Sequence, residues 1–336
     1  MNAPSTVTAI TGDPPPARAD GPDLVALEAL ALAATRAAAI ACQPLVGRGD
    51  KHAADRAATE AMRAVLTNAP AVGTVVIGEG EKDGAPMLYN GERLGTGAPP
   101  FDIAVDPLEC TTFCAKGLRG SLATIAFAAD GALLRPGPSH YMDKLVAAPA
   151  ARDAVDIRDV PEANLERVAR AVGKDVNELR VVVLDKPRHA GLIQRLRRAG
   201  ASVMTPSDGD VAGALNALMP TGEADLLMGV GGTPEGVMTA CAARALGGAM
   251  QARFAPQSDD EAAALAAAGL GADRVYDLDE LVGGPALFAA TGVTGGDLLR
   301  RPTTVDGAVV TESLLISERG LRLVEARPIP GPRQER

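Results

Sequence analysis

At 336 residues, nearly half of them apolar, the chain has material for one large or two ordinary domains with a substantial core. A formal charge of −9 opposes attraction to nucleic acid or an anionic membrane surface, and a chain with no Trp, three Tyr and five Phe is poorly equipped to bind ligands by stacking. Four Cys, at 42, 110, 114 and 241, form no CxxC pair and no disulfide framework, which fits a reducing, cytoplasmic setting.

Residues 1–21 are Pro-rich and lack the basic start and apolar run of a signal peptide, so they are expected to be a disordered tail. No segment is expected to reach the length of an apolar membrane span. Leu24 to Cys42 and His52 to Asn68 have Ala-rich helical composition, separated by the loop GRGDK. Strands are expected at Gly73–Ile77, Asp102–Val105, Ser121–Ala128 and Leu145–Ala148, each bounded by Gly, Pro or Asp. From Pro161 helix and strand alternate. Helices are expected near Glu162–Val172, Ala190–Ala199, Val211–Leu218 and Glu235–Leu246, and strands at Val181–Leu184, Ser202–Thr205 and Asp225–Met228. Such alternation argues for a parallel sheet with covering helices. The patch Glu261–Ala268 reads as one more helix, and a Pro-rich tail closes the chain.

In open α/β sheets ligands collect beyond the carboxyl ends of strands. Five such exits are chemically loaded here. TVVIG runs into GEGEKDG, with Glu79, Glu81 and Asp83, and DIAV runs into Asp106 and Glu109. VVVL runs into Lys186, Arg188 and His189, VMT into Asp208 and Asp210, and DLLMG into VGGTPEG with Glu235. One carboxylate after a strand is usually a turn former or a helix cap; five loaded exits weaken that reading. The acids offer oxygen alone, which suits Mg²⁺ or Mn²⁺ rather than Zn²⁺, and His52, His140 and His189 are too scattered for a zinc site. In AVDPLECTTF, Asp106 at a strand end and Glu109 across a turn at Pro107 can serve one cation or bridge two, while Thr111 at a helix start can meet an anion. That combination fits phosphate hydrolysis.

The segments GRGDKHAAD, GTVVIGEGEKDGAPMLYNGE, DIAVDPLECTT, YMDKLV, DKPRH, SDGD, GGTPEG and ATGVTGGDLL, in this order, resemble the class II, GlpX-type fructose-1,6-bisphosphatases over roughly Gly47 to Leu315. That family is related to the inositol monophosphatase superfamily, with its Asp-Pro-x-acid-Gly-Thr motif. The resemblance implies a mixed α/β protein with the layered α-β-α-β-α sugar phosphatase fold and two sheet-containing halves. A metal-site domain is expected over 22–155, a substrate-binding domain over 156–327 and a tail over 328–336. It implies metal ligands at Asp55, Glu79, Asp106, Glu109 and Glu235, with Mg²⁺ or Mn²⁺ as cofactor. It also implies catalytic roles for Thr111 and Asp83, and substrate contacts from Glu109, Cys110, Thr111, Tyr141, Lys186, Pro187, Arg188, His189, Asp208, Gly209, Asp210 and Gly232. The implied reaction is metal-assisted attack of water on the 1-phosphate of fructose 1,6-bisphosphate, with sedoheptulose 1,7-bisphosphate close behind, in a cytoplasmic homodimer or homotetramer.

Cys110 stands where the family has glycine, at a turn where a Cβ and thiol would crowd the phosphate. This keeps two other readings open. One is a phosphatase of another phosphorylated sugar or cyclitol; the other is a diverged, weakly active or non-catalytic sugar-phosphate binder. Cys110 and Cys114, four apart, are also placed to form a thiol pair, whereas Cys42 and Cys241 read as small buried residues.

Overall fold

The computed structural model describes residues 5–9, 23–78 and 87–327. The chain divides into two compact units, Met1–Phe127 with Leu287–Arg336, and Ala128–Ala286. The sequence places the division near residue 155 and assigns everything after it to the second half. The chain instead leaves the first unit after the middle of its sheet and returns to finish it.

The first unit begins with strand β1 (Ser5–Ala9), then helices α1 (Leu24–Cys42) and α2 (Lys51–Leu66). Strands β2 (Gly73–Ile77), β3 (Arg93–Leu94) and β4 (Phe101–Glu109), the short helix α3 (Thr111–Lys116) and strand β5 (Leu122–Ala129) follow. The returning segment adds β11 (Ala286–Gly292), β12 (Thr303–Val305), β13 (Ala308–Ser317) and β14 (Gly320–Ala326). The sheet order is β1-β14-β13-β11-β5-β4-β2-β3, with β12 paired to β13. Both long helices start on aspartate caps: Asp23 accepts from the amide of Val25 at 3.0 Å, and Asp50 from that of Ala53 at 2.9 Å. The alanine-rich face of α1 and the Ala54, Ala58, Met62 and Leu66 stripe of α2 share one core with Phe101, Ile103 and Phe127 of the sheet.

Two expectations need correction. Ser5–Ala9, expected within a disordered tail, forms a strand antiparallel to β14, with Val7 opposite Val324; STVTA is rich in the β-branched residues that suit a sheet edge. The segment Leu24–Leu45 is long and apolar enough by length and composition to cross a membrane, contrary to the expectation of no such segment. Here α1 packs as a core helix, because small alanines let it lie close against α2 and the sheet.

In the second unit β6 (Tyr141–Ala147), β7 (Arg180–Val182), β8 (Ser202–Met204), β9 (Leu226–Gly232) and β10 (Ala249–Phe254) form a sheet ordered β10-β6-β9-β7-β8. Helices α4 (Pro161–Val172), α5 (Ala190–Arg198), α6 (Asp210–Leu218), α7 (Thr233–Leu246), α8 (Asp259–Ala267) and α9 (Leu278–Leu281) accompany it. The chain is thus an α/β protein with two sheets. The expected parallel sheet is half right: β7 runs parallel to β8 and β9, but β6 and β10 are antiparallel additions.

Candidate active site

The stretch that ends β4 carries Asp106, Glu109, Cys110 and Thr111 of the expected site. The strand does not stop at Val105 and turn at Pro107, as the sequence suggests; it runs on through Pro107 to Glu109. On the β2 side the ladder reaches only Ala104, so the amide donor that Pro107 lacks breaks no bond there. The turn falls instead at Cys110, whose φ of 59° and ψ of 49° are left-handed. Asp106 and Glu109 are 8% and 3% exposed. Asp106 Oδ1 accepts from the Leu108 amide at 3.0 Å, which curls its carboxylate forward along the chain. A carboxylate this buried is costly unless hydrogen bonds or a cation accompany it.

Thr111, the first residue of α3, donates its hydroxyl proton to the Leu108 carbonyl at 3.0 Å. With that proton committed, the oxygen presents lone pairs, the arrangement needed to accept a hydrogen bond from water. Ser121 donates to the Cys110 carbonyl at 2.9 Å and fixes the turn from the β5 side. Asp55 lies on α2, whose N-terminal loop is tied to α3: the amides of Gly47 and Gly49 donate to the carbonyls of Cys114 and Ala115 at 2.9 and 2.8 Å. Glu79 and Asp83 lie outside the described residues. Among the described residues no three His, Cys, Asp or Glu side chains gather closely enough to hold a metal ion.

The thiol pair is not the expected one. Cys110 stands outside α3 in a left-handed turn, and Cys114 is hydrogen-bonded to Cys42, at the end of α1. That bond, with burial and the nearby charges of Cys114 and Asp55, pushes the Cys42 thiol well above its ordinary range; the same bond lowers Cys114.

In the second unit the predicted substrate residues come from separate strand ends. Tyr141 opens β6 and pairs in register with Gly232, the last residue of β9. Lys186 precedes a 3-10 turn formed by Pro187, Arg188 and His189, after β7. Asp208 and Gly209 precede α6, and Asp210 is its first residue. Glu235 sits in the first turn of α7, its carboxylate folded back so far that a Cβ on Gly232 would meet it at 1.8 Å. The Arg188 guanidinium lies 5.4 Å from the centre of the Tyr141 ring and donates to the Val230 carbonyl at 2.9 Å. Lys186 Nζ is 4.0 Å from Asp208. These cationic and hydroxyl-accepting groups can hold a phosphorylated sugar.

His189 differs from the expectation of a substrate contact. Its Nε2 accepts from the Val230 amide at 2.8 Å, so Nδ1 carries the proton and donates to the Leu184 carbonyl at 2.7 Å. Both nitrogens brace backbone, and no ring nitrogen remains for a phosphate. Burial, and then the Arg188 charge, lower its pKa against the opposing bond to Leu184.

The sequence passed over Lys144 and Glu261. Lys144 lies in the YMDKLV segment with its side chain 2% exposed. Glu261, in the first turn of α8, accepts from the amides of His140 and Gln257, both at 2.8 Å, and fixes the approach to Tyr141.

The family profile described as bacterial fructose-1,6-bisphosphatase, glpX-encoded, matches residues 25–327. A curated fructose-1,6-bisphosphatase class 2 of Haemophilus influenzae is 41% identical over 297 residues, 84% of this chain and 89% of that protein. The fructose-1,6-bisphosphatase 1 class 2 of Escherichia coli K12 is 41% identical over 297 residues, 84% and 88% of the two chains.

Proposed function

The chain belongs to the glpX-encoded bacterial fructose-1,6-bisphosphatase family, and from that premise we propose that it hydrolyses the 1-phosphate of fructose 1,6-bisphosphate to a sugar monophosphate and phosphate. The observation that carries this reading is the DPLECT junction, where two buried carboxylates end a strand and a threonine with its proton already committed opens a helix. Sedoheptulose 1,7-bisphosphate is the second candidate substrate. The protein works in the cytoplasm as a homodimer or homotetramer.

By the family resemblance Asp55, Glu79, Asp106 and Glu109 of the first unit would hold divalent cations, with Glu235 the ligand candidate of the second, and carboxylate donors suit the hard ions Mg²⁺ or Mn²⁺. When bound, such cations neutralise charge on the phosphoryl oxygens and make water a better nucleophile. The chain's own residues do the rest. Thr111 accepts a hydrogen bond from the attacking water and orients it, and Asp83 assists in taking its proton. Lys186 and Arg188 hold the second phosphate, so that binding energy remote from the reaction positions the first. Asp208, Asp210 and Gly232 accept sugar hydroxyls, Tyr141 backs Arg188, and Pro187 and Gly209 shape the two loops.

The test is inorganic phosphate release by the purified protein with Mg²⁺ or Mn²⁺, across both bisphosphates and several monophosphates. Release from fructose 1,6-bisphosphate, lost in Glu109→Gln, is the expected result. The left-handed Cys110 favours one rival, a binder without turnover. A bisphosphate that raises the melting temperature but yields no phosphate identifies that rival.

A further inference from the structure

An ammonium group as deeply buried as that of Lys144 is tolerated only where acceptors replace its water. Lys144 has two. Nζ donates to Asp210 Oδ2 and, at 2.9 Å, to the carbonyl of Gly232. The Asp210 side chain is itself 8% exposed. The backbone leaves room for this pair and little else: a Cβ on Gly231 would lie 1.9 Å from Asp210 Oδ2 and 2.9 Å from Lys144 Nζ, and one on Gly236 would lie 3.3 Å from Lys144 Cδ. One lysine on β6 therefore reaches the first residue of α6 and the last of β9, two element ends where substrate contacts are expected.

Stability gives no reason to keep such a pair, since apolar residues of similar volume fill a core at least as well. Position does. The ion pair fixes one Asp210 oxygen on Lys144 and leaves the other to accept a further hydrogen bond. We propose that Lys144 is a positioning residue of the sugar-phosphate subsite: anchored on the Gly232 carbonyl, it holds one Asp210 oxygen and so aims the second to accept a sugar hydroxyl. This rests on the sugar-bisphosphatase reading.

The test is a double-mutant cycle in the full chain with Lys144→Met, Asp210→Asn and the double variant, read as KM and kcat for fructose 1,6-bisphosphate. Each single variant is expected to raise KM about tenfold with a much smaller effect on kcat, because a buried polar partner is lost. The double variant should match Asp210→Asn within about twofold, since both changes remove one interaction. A lysine that merely supports the fold would change the amount of active enzyme, and with it kcat, without this selective rise in KM. Should Lys144→Met fail to fold, the electrically neutral double variant compared with Asp210→Asn decides the matter. Multiplying KM effects, or a folded Lys144→Met with unchanged KM, overturns the proposal while the enzyme reading stands. A wild type that binds fructose 1,6-bisphosphate by calorimetry without hydrolysing it moves the cycle to Kd with the same expected pattern. A wild type that neither binds nor hydrolyses it overturns both.

Discussion

Cys110 holds a conformation that costs an L-residue with a Cβ roughly 1–2 kcal/mol. Glycine would shed that strain and return up to ~1 kcal/mol of it as lost backbone freedom. Cys110→Gly should therefore stabilise the fold by about 0.5–1 kcal/mol in urea denaturation; an unchanged or lower midpoint at equal slope would show the turn to be unstrained. Cys110→Val should lose stability, because a β-branched residue fits that region worst. His189 makes a second residue-scale prediction. Burial holds its folded pKa below the ordinary 6.5, so the unfolded chain binds the proton first as pH falls. Stability should be intact above about pH 7.5 and decline as pH drops through the unfolded value towards the lower folded one. His189→Gln should flatten that limb relative to wild type, whatever its cost at neutral pH; an unchanged slope would mean that the imidazole titrates freely.

At the scale of elements, the α2 cap carries a direct consequence. Asp50 accepts the Ala53 amide and opens the helix on which Asp55 rides. Asp50→Ala should cost about 1 kcal/mol and Asp50→Asn much less, a difference that thermal unfolding of the two variants measures. Helices were the legible elements: α1 falls on its expected residues and α4 to α7 within two residues at most ends, because apolar periodicity, Pro at the start and Gly at the end are local signals. Strands β10 to β14 were not, since MQARF and VVTESLLIS mix polar and apolar residues in a pattern that only their sheet partners explain. The loaded strand exits were legible as chemistry, as at Asp106 and Lys186. Lys144 was not, because the expected strand begins at Leu145 and a lysine just before a strand reads as a solvated turn residue until the fold buries it beside Asp210.

For the whole molecule, the return of strands β11 to β14 to the first sheet governs what can be cut. A fragment ending at Ala286 would leave β5 without its neighbour β11 and expose a strand edge, and it should aggregate on expression. A fragment spanning 128–286 keeps β6 between β10 and β9 and should unfold cooperatively by circular dichroism, whereas one starting at 156 lacks β6 and should not. Equal behaviour of the two would refute the division. The sequence missed this boundary because its texture changes at Pro161, where helix and strand begin to alternate, some thirty residues after the chain has entered the second unit.

If this chain removes the 1-phosphate of a ketose bisphosphate through the acids and threonine of its DPLECT junction, phosphorus NMR of fructose 1,6-bisphosphate incubated with the protein and Mg²⁺ or Mn²⁺ will follow the reaction phosphate by phosphate. The predicted result is loss of the 1-phosphate resonance, growth of inorganic phosphate and an intact 6-phosphate, with no change in Glu109→Gln. Loss of the 6-phosphate, or turnover that survives in Glu109→Gln, would contradict it.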